Sequence, residues 1–240
     1  MRRRRNARRS IISVPPNLKI LALDTSTEAC SVAVWANGNV VERFETGNQH
    51  SDLILPMVQA VLAEAGLALT QLDAIAFGRG PGSFTGLRIG AGVAQGLAFG
   101  ANLPVVPISS LAALAQGVDA PRVLAAFDAR MGQVYCGAYV KNDQGLVELV
   151  GAEQVIAPGG VPLPEGTDWV GAGSGWDQYH ALLSARLGKQ IARWQKQVYP
   201  RARFIAELAV AGYRAGQIVA AEQALPVYLR DDVAVKRSKP

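Results

Sequence analysis

The chain has little of what metal and redox chemistry uses. Its 240 residues include two histidines, His50 and His180, and two cysteines, Cys30 and Cys136. Neither histidine belongs to an H-x-x-x-H or H-E-x-x-H pair, so no zinc motif is present. His50 reads as a residue bordering a helix. Two thiols far apart in sequence make no disulfide scaffold; they fit a reducing compartment, as buried free cysteines. Lysine is absent between Lys19 and Lys141, which removes the ammonium that a P-loop sets on its phosphates. No G-x-S-x-G elbow supports a triad built from Ser83 or Ser109 with His50 and an aspartate. No apolar run approaches the about eighteen residues of a membrane helix; the best candidate, Ile89–Phe99, is short and glycine-rich. A soluble, cytoplasmic protein is expected.

Acidic residues are missing from the first sixteen positions, which hold six arginines. Without those six, the formal charge of +5 becomes −1. The basic balance is therefore a property of the extension, and a nucleic-acid-binding surface on the body does not follow from it. The extension, residues 1–17, reads as a nucleic-acid arm, a targeting peptide or a segment without a folded role. The last is favoured, because it is short for a transit peptide and has no apolar h-region. Half of the residues are hydrophobic, enough for one large domain or two small ones.

Glycine is abundant, and it is concentrated in Gly78–Gly100, GRGPGSFTGLRIGAGVAQGLAFG. The segment follows a strand-like Asp73–Phe77 and opens into a helix, the setting of a phosphate cradle. Its spacing fits neither the dinucleotide fingerprint nor the P-loop. Small residues instead recur every fourth position, at Gly82, Gly86, Gly90, Ala94 and Ala98, with a second row at Gly92, Gly96 and Gly100. On a helix each row is a face almost without side chains. Such a face admits a partner's helix closely, or packs a helix into its own core; the pattern alone leaves both open.

Before this segment, Leu18–Leu23, Ser31–Trp35 and Val40–Glu45 read as a three-stranded meander, with Asn37-Gly38 as a hairpin turn. Asp24, Thr25, Ser26 and Thr27 join the first two strands. One carboxylate and three hydroxyls suit phosphate or hydrated magnesium, and they equally suit an ordinary side-chain-to-backbone turn. A helix follows from Ser51, a candidate N-cap, to Ala65, with Pro56 early in it. Strand Leu103–Ile108 and helix Ser109–Gln116 complete a β-β-β-α-β-α-β order, hence a mixed sheet flanked by helices. The second half echoes the meander at Arg122–Phe127, Gln133–Val140 and Leu146–Val150. Strand Asp168–Ala172 and helices at 177–187 and Phe204–Ala215 follow, and an extended tail holds Tyr228–Asp232. Asp128 and Arg130 offer a ligand-orienting pair or an internal salt bridge. Arg79 and Arg88 flank the glycine loop, facing an anion or a partner's acids. Gly171–Gly175 is either an adenosine-site loop or a strand–helix turn.

ILALDTSTEACSVAV, HSDLILP, GPGSFTGLRIG, FDARMGQVY and PVYLRDDVA, in that order from about Leu18 to Val235, resemble the bacterial TsaB (YeaZ) family of tRNA threonylcarbamoyladenosine biosynthesis proteins. The resemblance implies an α/β, actin-like (ASKHA, ribonuclease-H-like) fold of two subdomains, 18–115 and 116–240, the second with a C-terminal helix and tail. It also implies a noncatalytic partner of the paralogue TsaD, which carries a metal-binding histidine pair after its glycine segment; here the stretch reads PVVPISSLAALA. TsaD and the ATPase TsaE would be the partners and tRNA a substrate reached through the complex. Homodimers would form alone, and ATP, ADP and metal would lie on partner subunits or at the interface. The implied docking surface combines the two helices through Ser51, Leu53, Met57, Val61, Gly82, Gly86, Arg88, Gly90 and Ala94. The actin-like fold adds nucleotide at Asp24–Thr27 as a further expectation. A nucleotide-binding ATPase and a glycoprotease-like peptidase are the alternative functions.

Overall fold

The computed structural model describes residues 17–230; the Arg-rich extension and the end of the tail, Asp232 included, lie outside them. The first half runs β1 (Lys19–Asp24), β2 (Ala29–Ala36), β3 (Asn39–Thr46), α1 (His50–Glu64), β4 (Ala74–Gly78), α2 (Phe84–Ala101), β5 (Val105–Ile108) and α3 (Ser110–Gln116). Asn37 and Gly38 take φ of 53° and 87°, the left-handed pair that a two-residue hairpin demands. The second half runs β6 (Arg122–Asp128), β7 (Val134–Lys141), β8 (Val147–Ile156), β9 (Trp169–Ala172), α4 (Ser174–Leu187), β10 (Ile191–Gln195) and α5 (Ala202–Arg214).

The echo of the meander is complete at the level of topology. One sheet is ordered β3-β2-β1-β4-β5 and the other β8-β7-β6-β9-β10. In each, the meander is antiparallel, and the last two strands join its first strand in parallel. This is the duplicated mixed sheet expected of an actin-like fold.

Alternation along the central strands sorts the cores. Leu21, Leu23, Ile75 and Phe77 face α1 and α2, meeting Ile54, Val58, Val61, Ala91 and Ala94. Ile20, Ala22, Ala74 and Val106 face the other way, onto Ile205, Ala206 and Ala209 of α5. In the second sheet Val123, Ala125 and Phe127 face Leu111 and Leu114 of α3, while Leu124 and Ala126 face Trp176, Leu183 and Leu187 of α4. The halves therefore exchange helices across the 115/116 division: α3 packs on the second sheet, and α5 returns to the first. Each buried Leu, Ile or Val contributes about 1.5–3 kcal/mol, which is why these non-local pairings override the order of the chain.

Candidate functional site

The carboxyl ends of both central strands open onto one cleft of about 720 Å³ between the halves, the place where α/β sheets hold ligands. On its first-half wall, the turn after β1 is closed on itself. Asp24 is 1% exposed. Its Oδ1 accepts from Ser26 N at 2.9 Å and from Ser26 Oγ at 2.7 Å, and its Oδ2 accepts from Ser110 Oγ at 2.9 Å. Burial pushes the Asp24 carboxyl above its ordinary value, against the pull of those same hydrogen bonds. Thr25 is buried and donates to Gly86 O at 2.7 Å. Ser26 and Thr27 are buried too, though both border the cleft. The carboxylate offered in sequence as a phosphate or magnesium ligand is committed inside the protein.

Glycine is what allows this closure. A Cβ at Gly78 would stand 1.8 Å from Asp24 Oδ2, one at Gly82 2.2 Å from Ser26 O, one at Gly86 2.0 Å from Thr25 O, and one at Gly90 2.5 Å from Thr25 Oγ1. The row expected to accept a partner thus turns inward: Gly86, Gly90, Ala94 and Ala98 are buried along α2, and Gly82 lines the cleft. Gly86, Gly90 and Ala94, expected on a docking surface, lie instead against the protein's own interior, because four-residue spacing fixes a shared face but not its direction. Met57 and Val61 of α1 are likewise buried in the first core. Ser51 is exposed and Leu53 half-buried. Ser51 is also not the N-cap, since α1 begins at His50 with Gln49 in the capping position. His50 is buried, with no hydrogen-bond partner at Nδ1.

The second row faces outward. Cβ atoms at Gly92, Gly96 and Gly100 would meet nothing within 4 Å. Arg88 lies beside this row, its guanidinium 3.5 Å from the centroid of the Phe84 ring, and Phe99 is 83% exposed at its far end. Leu55 is exposed on α1, which shares the first core with α2.

Where β5 ends, Ser109 caps α3 by accepting from Ala112 N at 3.2 Å. Its hydroxyl also donates to the Glu153 carboxylate, which Tyr139 reaches from β7. Arg79 stands 3.8 Å from Glu153. Burial, then the Glu153 charge, push the Tyr139 phenol well above its ordinary value. Across the cleft, Asp128 accepts from Arg130 N at 2.8 Å and pairs with the Arg130 guanidinium at 3.0 Å. The Asp128–Arg130 salt bridge is thus present, at the surface, with the Arg130 side chain 87% exposed. The Gly171–Gly175 loop is a packing device: a Cβ at Gly171 would stand 2.3 Å from the Trp176 ring, and one at Gly173 2.3 Å from Ala126 O. Cys30 and Cys136 are buried and free, and burial pushes both thiols up to about 11. Among the described residues, no three His, Cys, Asp or Glu side chains converge as metal ligands.

Residues 44–237 match the family model described as TsaD: tRNA N6-adenosine threonylcarbamoyltransferase. The tRNA threonylcarbamoyladenosine biosynthesis protein TsaB of Escherichia coli is 44% identical over 92% of this chain and 98% of its own length. The chain belongs to the TsaB family. TsaB of Haemophilus influenzae is 43% identical over 92% of this chain and 97% of its own. The solved structure of YeaZ from Pseudomonas aeruginosa, 47% identical, superposes with a TM-score of 0.82 over 88% of this chain and all of that one. Like those TsaB relatives, the chain is a tRNA threonylcarbamoyladenosine biosynthesis protein. No helix among its described residues is long and apolar enough to cross a membrane.

Glu153 and Tyr139 were invisible in sequence as site residues: Tyr139 lies in a strand read as ordinary sheet, and Glu153 lies beyond Val150, where the strand was expected to end but where β8 continues to Ile156. Tyr228 and Arg230 border the cleft from a tail that the sequence marked only as extended.

Proposed function

We propose that this chain is the noncatalytic partner of a TsaD subunit, working with TsaE to transfer a threonylcarbamoyl group to N6 of adenosine 37 in tRNAs that read codons beginning with A. The observation that carries the reading is the end of β5. Ser109 and Ser110 stand where the catalytic paralogue would begin its metal-binding pair, and both hydroxyls are spent internally, on Glu153 and Asp24. The chain would bring no cofactor of its own, leaving nucleotide and metal to partner subunits or the interface, in the cytoplasm. Docking is assigned to the outward face of α2 and the exposed part of α1: Ser51, Leu55, Arg88, Gly92, Gly96 and Phe99. Bare backbone at the two glycines admits a helix closely, and the flanking Phe99 and Leu55 supply apolar area. The same face would serve a homodimer when the chain is alone. Reconstitution of tRNA modification with cognate TsaD and TsaE, with and without this chain, tests the reading; activity undiminished by its omission overturns it. Gly92→Trp should leave the chain folded and remove TsaD from co-purification.

A further inference from the structure

Past α5 the chain crosses the molecule. Val219 and Val105 exchange both backbone hydrogen bonds at 2.9 Å, and Ala221 and Ala224 are buried in the core beneath α2. Gln95 Nε2 then donates to Ala224 O at 3.2 Å, and Val227 N to Arg79 O at 2.7 Å. The Tyr228 ring lies 5.5 Å from that of Phe84, and its hydroxyl accepts from Arg88 Nε at 3.2 Å. Two residues on, the chain reaches the other half: Arg230 donates to Gln133 Oε1 at 2.5 Å and to Met131 Sδ at 3.3 Å. Residues 217–230 form a strap from the first core, over the first turn of α2, to the β6–β7 turn.

The two sides of the cleft are joined differently. At its back, α3 and α5 bind the halves through buried apolar contact: Leu208 of α5 packs against the second core and Ala113 of α3 joins the first. At its mouth, the strap crosses on two polar side-chain bonds from Arg230, one exposed and one half-buried, each of which stabilises weakly. Its outer edge also forms one wall of a groove of about 370 Å³, Leu225, Pro226 and Tyr228 facing Arg88, Gly92 and Gln95 on the outward side of α2. Whatever sits on α2 therefore touches the strap within a few residues of the crossing.

We infer that the strap is a latch that couples occupation of the outward face of α2 to closure of the interdomain cleft. A helix seated in the groove presses Leu225 and Tyr228 onto Arg79 and Phe84, and Arg230 then holds the β6–β7 turn. The trigger rests on the docking assignment above; the latch does not.

The test uses the full chain and Arg230→Ala, a half-buried position at the edge of the cleft, with circular dichroism and melting temperature confirming that the variant is folded. Spin labels at Thr70→Cys and Ser184→Cys, exposed positions on opposite halves, report their separation. The expected result is a longer and broader distance distribution in the Arg230→Ala background. Amide exchange at Arg130–Gln133 should also be about three- to tenfold faster, the range set by losing one such bond. Adding purified TsaD should slow that exchange in the parent chain, and not in Arg230→Ala even though pairing persists. Superimposable distance distributions overturn the latch. TsaD that binds both chains and slows exchange in both equally overturns the coupling. TsaD that binds neither overturns the docking assignment, while the distance measurement still judges the latch.

Discussion

Two turns at equivalent places in the two sheets face each other across the cleft, one after β1 and one after β6. Each begins with an aspartate that closes the central strand of its sheet, and each aspartate accepts a hydrogen bond from the backbone N–H two residues on, Ser26 at 2.9 Å and Arg130 at 2.8 Å. There the likeness ends. Asp24 is sealed by Ser110 and by the close approach of Gly78 in β4, whereas Asp128 lines the cleft, paired with an Arg130 side chain that is 87% exposed. The repeated topology supplies two equivalent positions, and small residues close only one of them. The glycine segment therefore serves the inside of the protein on one face, while Gly92, Gly96 and Gly100 leave the other face bare.

The largest contrast should come from Gly86→Ala. Its Cβ would stand 2.0 Å from the Thr25 carbonyl, backbone that cannot step aside, so a loss of about 3 kcal/mol or more is expected. Arg130→Ala on the open turn should change stability by less than about 0.5 kcal/mol, since an exposed ion pair contributes little. Denaturant unfolding of both variants checks this, and equal losses would erase the distinction between the turns.

Asp24→Ala comes next. It leaves the Ser26 N–H and the hydroxyls of Ser26 and Ser110 unpaired in a buried place, at a cost of about 3 kcal/mol; Asp128→Ala, beside solvent, should cost about 1 kcal/mol or less.

A smaller effect follows from protonation. Because the folded Asp24 carboxyl sits above its ordinary 3.8, the folded state holds that proton more tightly than the unfolded chain. Its contribution to stability is greatest when the group is protonated and declines as pH rises through the interval above 3.8. Asp24→Asn removes this decline, so the variant should gain on the parent as pH is raised from about 4 toward neutrality. Melting temperatures across that range test it, and a constant difference would contradict it. The smallest effect is Gly92→Ala, which adds a methyl group in open space and should stabilise α2 by about 0.5–1 kcal/mol.

Much of the fold was legible because its signals are local. Asn37-Gly38, the meander and the four-residue glycine spacing each state a backbone geometry within a few residues. The direction in which Gly86 and Gly90 face was not legible, because a small residue suits a core and an interface equally, and only Thr25, through its carbonyl at Gly86 and its hydroxyl at Gly90, decides. Strand β10 went unread: its IARWQ alternation has a single aliphatic residue beyond alanine and follows no turn signal as strong as Asn-Gly. The exchange of α3 and α5 between sheets was beyond reach for a different reason, since amphipathicity says that a helix has an apolar face without saying which sheet covers it. At the candidate site the turn residues were found, but their mutual satisfaction depended on Ser110, which is remote in sequence.

The return of α5 has a consequence for how the protein is made. One face of the first sheet, through Ile20, Ala22, Ala74 and Val106, is covered by residues around Ile205 and Ala209, and its β5 edge is met by Val219. A ribosome making this chain at about 5–20 residues per second holds that face uncovered until the second half has been synthesised. The first half then cannot mature as an independent unit during translation, and a nascent chain stalled near residue 200 should be a client for chaperones even though both of its sheets are already spelled out.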